Sequence, residues 1–182
     1  MTTRYTDTAI SLHWLMAVGL VGTFALGVYM HDLPFSPAKL QLYSWHKWAG
    51  VTLFALVLSR LAWRAGHPPP ALPDTMTATM QRAAGLAHVV LYLLMLAIPL
   101  SGWLMSSAKG VTTVWFGVLP LPDLLGKDKA LGDLLFGVHK ALNLTLLGLV
   151  IAHIGAALKH HLVDRDDVLT RMLPRHKRQG DT

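Results

Sequence analysis

The chain has no cysteine among its 182 residues and no glutamate. Without thiols there is no disulfide scaffold, no iron–sulfur cluster and no thiolate zinc site. All ten acidic residues are aspartates, and charged residues reach only 14%. Soluble globular proteins carry roughly 25%. Apolar residues instead make up 53%, and the mean hydropathy is +0.43. Histidine matches aspartate at ten, and there are six tryptophans. A net charge of +6 would by itself suggest nucleic acid. The basic residues lie between long apolar blocks, so nucleic acid is set aside and a membrane protein is expected.

Four blocks, about 8–30, 43–63, 81–106 and 132–162, read as transmembrane helices. A bilayer core needs roughly 20 apolar residues. The fourth block exceeds this, which implies tilt or extension beyond the membrane. The expected fold is an all-α membrane protein, a four-transmembrane-helix bundle forming one domain over 1–182. The first block lacks a small-residue cleavage pattern, and Asp7 and His13 interrupt its start, so it reads as retained rather than as a signal peptide. Ten basic residues, including every arginine, fall at the termini and the second connection, against six lysines at the first and third connections. The positive-inside rule then puts both termini in the cytoplasm.

The second connection, 66–80, holds Pro68, Pro69, Pro70 and Pro73 and reads as an extended linker. The third, 107–131, carries Trp115, Phe116, Pro120 and Pro122 and suits a hairpin or a short surface helix. Pro99 should kink the third helix. A basic cytoplasmic tail is expected over 163–182, and after Arg171 it reads either as lying along anionic headgroups or as a solvated end.

All four blocks contain histidine, and polar groups inside spans are costly enough to signal a role. His46 and His139 lie near the external ends of the second and fourth spans. His13, His88 and His153 lie towards the cytoplasmic side. His153 follows His139 by fourteen residues, about 21 Å along a helix with an offset of roughly 40°. Two imidazoles on one face, one near each membrane surface, are what two stacked haems need. A b-type iron commonly takes two histidines. His46 with His139 is the external pair. His153 belongs to the internal pair with His13 as the preferred partner and His88 as the rival. Zinc is disfavoured, because the spans lack the Cys or Glu company its sites favour. Gly50, one turn after His46, leaves room for a flat macrocycle, as Gly19, Gly22, Gly27 and Gly102 do elsewhere; close helix packing uses the same residues. Lys47 outside, and Arg60 or Arg82 inside, suit either haem propionates or helix-end anchoring.

These residues form an ordered pattern. Arg4-Tyr5, then Ile10 to Leu15 around His13, open the chain. His46 with Gly50, Arg60-Leu61 and the proline-rich linker follow. Gly85 to His88, Trp115 to Gly117, His139, His153, His160-His161 and Leu169 to Pro174 complete it. Over nearly its whole length the chain resembles the bacterial cytochrome b561 family. That resemblance implies a multi-pass protein of the inner membrane with two haem b groups per chain, one held by His46 and His139, the other by His13 and His153. It further implies an oxidoreductase that takes electrons from superoxide at the periplasmic face and passes them to ubiquinone. The alternative is an electron-transfer subunit serving a dehydrogenase or hydrogenase partner. A self-contained enzyme does not require a protein partner.

Superoxide is an anion, so external lysines would steer it. Lys47 and Lys140 are the choices, because each adjoins an expected ligand. Trp115 and Phe116 either cover the haem edge or belong to the interfacial aromatic belt. His160 lies seven residues beyond His153 on the same face. It is expected to donate a proton to quinone or bond its carbonyl, although the helix dipole and headgroups would also suit it.

Overall fold

A computed structural model describes residues 4–73 and 75–174. It contains four long helices: α1 (Asp7–Asp32), α2 (Pro37–Gly66), α3 (Ala78–Ala108) and α4 (Lys129–Lys159). Each begins on a side-chain cap. Thr6, Ser36, Thr77 and Asp128 accept from the backbone N–H three residues on, and Pro37 supplies the preset φ of a first helical position. These caps place the starts earlier than expected. For α2 the shift is six residues, so the first connection is a tight turn.

α1, α3 and the α4 segment continuing to Asp164 are long and apolar enough to cross a membrane. α2 spans 30 residues but falls short of that apolarity. Of the four spans expected, α2 is thus the one that composition does not mark as membrane-crossing. Lys39, His46, Lys47, Arg60 and Arg64 dilute α2, and two of them serve the interior. The apolar surface faces outward: only 6–11% of the residues in the three apolar windows are buried within the protein. A soluble bundle would invert that ratio, whereas lipid requires it.

α1 packs on α2, α2 on α3 and α3 on α4. The core centres on Leu91, Leu94 and Leu146, with Leu20 of α1 joining them. α3 runs unbroken through Pro99. The third connection carries a small antiparallel hairpin, β1 (Val114–Trp115) with β2 (Leu119–Pro120). Its turn puts Phe116 at φ 50° and Gly117 at φ 73°. The indole of Trp48 donates to Val114 O at 2.6 Å, pinning the hairpin on α2.

After α4 the chain makes a π turn (His160–Asp164), turns at Arg165 with φ 53°, and folds back. Arg4 donates to Leu173 O, Trp14 Nε1 to Met172 O at 2.8 Å, and Arg171 to Ala71 O at 2.5 Å. Both ends of the described chain therefore meet at one end of the bundle. The tail up to Pro174 is a strap tied to α1 and the second connection; the headgroup-or-solvated-end reading of the tail after Arg171 falls mostly outside the described residues. The left-handed turn at Arg165 supplies the reversal that composition hides. Arg175, Lys177 and Arg178 lie outside the described residues.

Candidate functional site

The site is built from histidines on α1, α2, α3 and α4. The rings of His46 and His139 have centroids 6.4 Å apart at 80°. Those of His13 and His153 are 6.3 Å apart at 61°. Two imidazoles that would hold one metal between them, each by a bond of about 2 Å plus about 1.1 Å from ring nitrogen to ring centre, would stand about 6.2 Å apart. Both pairs match that span. His88 approaches His153 to 5.5 Å at 74°, closer than two imidazoles sharing a metal would stand. The spacing thus favours His13 over His88 as the inner partner.

The outer rings are oriented by their neighbours. His46 Nδ1 lies 3.1 Å from Thr23 O, and His139 Nδ1 lies 3.1 Å from Ile98 O. A carbonyl only accepts, so Nδ1 carries the hydrogen and Nε2 keeps its lone pair for a metal. Ser101 Oγ sits 2.9 Å from His139 Nδ1 and itself donates to Ile98 O at 2.8 Å. Such a donor set fits a haem iron, which His46 and His139 would hold through Nε2.

Two glycines make the outer seat possible. A Cβ on Gly27 would stand 3.0 Å from His46 Cε1, and one on Gly102 would stand 3.2 Å from His139 Cε1. These glycines make room for the imidazoles themselves. Gly19 has the packing role instead, its missing Cβ lying 2.9 Å from Leu53. At Gly50 a Cβ would meet no protein atom within 4 Å, so helix packing does not account for that glycine.

The external lysines are not brought together. Lys47 Nζ reaches Val111 O at 3.4 Å, whereas Lys140 is exposed and has no hydrogen bond or ion pair among the described residues. His31 stacks on Phe136 at 5.5 Å, and Lys109 Nζ stands 5.1 Å from the same ring. Phe136 is one turn before His139, so His31 and Lys109 join the outer end of the site. Lys109 is one of the six lysines at the external connections, whereas nothing in the composition points to His31. Trp115 donates to Thr52 Oγ1 at 3.3 Å, and Phe116 lies against Trp48 at 5.3 Å.

At the inner end Arg60 is drawn inside the bundle. It donates to Ala9 O at 2.6 Å and Tyr92 Oη at 3.0 Å, joining α1, α2 and α3. Arg82 makes no comparable contact among the described residues. His160 is buried, with Nδ1 2.6 Å from Asp166 and 3.3 Å from Asp164. The three could hold a cation by spacing, but Lys159 Nζ already takes Asp164 at 2.6 Å. Outside the membrane segments, the hydrogen bond from Arg171 holds the Asp167 carboxyl below its usual range.

Apolar helices facing lipid around paired histidines define a membrane electron-transfer protein of the cytochrome b type. Residues 4–175 match the family model described as prokaryotic cytochrome b561, and the chain belongs to that family. It is a multi-pass protein of the bacterial inner membrane, from a family that binds haem b. Its relatives include "Cytochrome b561 homolog 2" of Escherichia coli (strain K12), 35% identical over 93% of this chain and 91% of the relative. "Cytochrome b561 homolog 1" of the same organism is 32% identical over 96% and 99%. "Probable superoxide oxidase CybB" of Yersinia pestis is 25% identical over 97% and 99%.

Proposed function

We propose that this cytochrome carries electrons across the inner membrane, oxidising superoxide at the periplasmic face and reducing ubiquinone. Both termini lie in the cytoplasm. His46 and His139 hold the outer of two haem b groups, and His13 and His153 hold the inner one. The observation that carries this reading is the pair of 6.4 and 6.3 Å ring separations, with His139 and His153 on one face of α4. The name of the Yersinia pestis relative supports the choice of superoxide.

Bound haem supplies one-electron chemistry between donor and acceptor. The protein's part is to hold, tune and feed. Thr23, Ile98 and Ser101 fix the outer imidazoles in the tautomer that offers Nε2. Gly50 leaves space beside His46. Lys47 and Lys140 raise the local concentration of an anionic donor, and its encounter slows as salt screens them. Arg60 brings a permanent positive charge to the inner end. His160 holds a proton for the reduced quinone.

The test is anaerobic addition of superoxide to purified, haem-replete protein, followed by ubiquinone. Rapid reduction and quinone-dependent reoxidation of two b haems per chain is the expected result. Two haems that superoxide leaves oxidised would refute superoxide as donor and point to a partner-dependent subunit.

A further inference from the structure

We propose that Asp166 is a positioning residue that holds His160 as the proton donor for quinone reduction. This rests on the function proposed above and extends it to a residue outside the histidine pairs.

The argument starts from the turn. The N–H of Asp166 bonds His160 O at 3.1 Å, closing the helix end with Arg165 in the left-handed region at φ 53°. A non-glycine residue is held there only against a steric penalty. Single π turns inside helices recur at functional sites. This turn returns Asp166 onto the ring six residues back. Its carboxylate then serves two donors: Oδ2 takes His160 Nδ1 at 2.6 Å and Oδ1 takes the Val168 N–H at 3.0 Å. Both partners of the ring contact keep only 11% of their side-chain surface exposed. Asp164 also approaches Nδ1, at 3.3 Å, but is neutralised by Lys159. Asp166 is thus the unshared anion on the imidazole.

An anion on Nδ1–H fixes the tautomer and stabilises the imidazolium, leaving Nε2–H as the transferable proton. Reducing a quinone to a quinol takes two electrons, delivered by the electron-transfer activity, and two protons. In each proton step the Nε2–H bond breaks and a quinone O–H bond forms. The imidazole is then recharged from water. Asparagine in place of Asp166 has one acceptor oxygen for two donors and no charge, so it cannot serve both Val168 and the ring as carboxylate does.

The experiment uses the full-length, haem-loaded protein in detergent with a short-chain ubiquinone, comparing Asp166→Asn, Asp166→Glu and His160→Gln. Asp166→Asn should lower kcat for quinone reduction by about 10- to 100-fold while KM stays within about twofold. The solvent isotope effect should rise, and superoxide-driven haem reduction and haem content should be unchanged. Asp166→Glu should recover most of the loss. An Asp166→Asn enzyme with wild-type kcat and isotope effect, or one losing haem in proportion to activity, overturns the proposal. Wild-type protein that quinone does not reoxidise overturns the underlying function instead. A silent His160→Gln variant beside active wild type removes the proton-donor role and leaves the electron route standing.

Discussion

A methyl group added at Gly27 tests whether the outer histidine pair is a ligand pair. The new Cβ would lie 3.0 Å from His46 Cε1 and 3.5 Å from Nδ1. Carbon pairs settle at about 3.5–4.0 Å, so the ring must retreat by roughly half an ångström. Thr23 is on α1 too, one turn before Gly27, and its carbonyl holds Nδ1 at 3.1 Å. A retreat of that size takes the bond to about 3.6 Å, where it no longer exists. Overpacking costs about 1–3 kcal/mol, and a lost hydrogen bond about 0.5–1.5 kcal/mol. If the overpacking cost falls on the ligated state, outer-haem affinity weakens by roughly 5- to 150-fold. The assay is haem per chain by pyridine haemochrome during exposure to a haem scavenger, with a redox titration alongside. Gly27→Ala should lose one haem first and shift one of two redox waves. Gly155→Ala is the control, since Gly155 is exposed and its Cβ would meet nothing within 4 Å. Equal behaviour of the two variants would refute the reasoning.

The inner pair is separable by the same spectroscopy: His13→Ala should leave about one haem per chain and His88→Ala two, and the reverse would make His88 the ligand. Lys47→Ala should slow reduction by superoxide and flatten its dependence on ionic strength; an unchanged salt slope would remove Lys47 from steering. The depressed carboxyl of Asp167 gives a pH prediction with a definite sign. Its bond to Arg171 supports the strap above the unfolded value of about 3.9 and is lost as pH falls through the lower folded value. A spin label at Thr170 should stay immobile at about pH 5 to 8 and loosen only below about pH 4; loosening near neutrality would contradict this.

Composition alone determined that the protein lives in a membrane. Apolar blocks of spanning length, scarce charge and absent cysteine leave few other solutions, because an unsolvated backbone must satisfy itself in helices. The depth order of the histidines was equally legible, since a helix converts residue number directly into height and angle. His46, His139 and His153 therefore stood out as candidates before any packing was known. Which of His13 and His88 faces His153 was not decidable that way. Both lie at similar depth on different helices, and only the lateral arrangement of α1 and α3 sets 6.3 Å against 5.5 Å. The roles of Gly27 and Gly102 were hidden for the same reason, because each makes room for a ring on another helix. Ser101 did offer a signal, as a hydroxyl in an apolar span, but its partner on α4 did not. The strap and the contact of Asp166 with His160 were the least legible, because a left-handed turn at an arginine has no compositional mark. Sequence sets what happens along one helix, where geometry is periodic. Contacts between helices depend on rotations and offsets that only the packed tertiary structure decides.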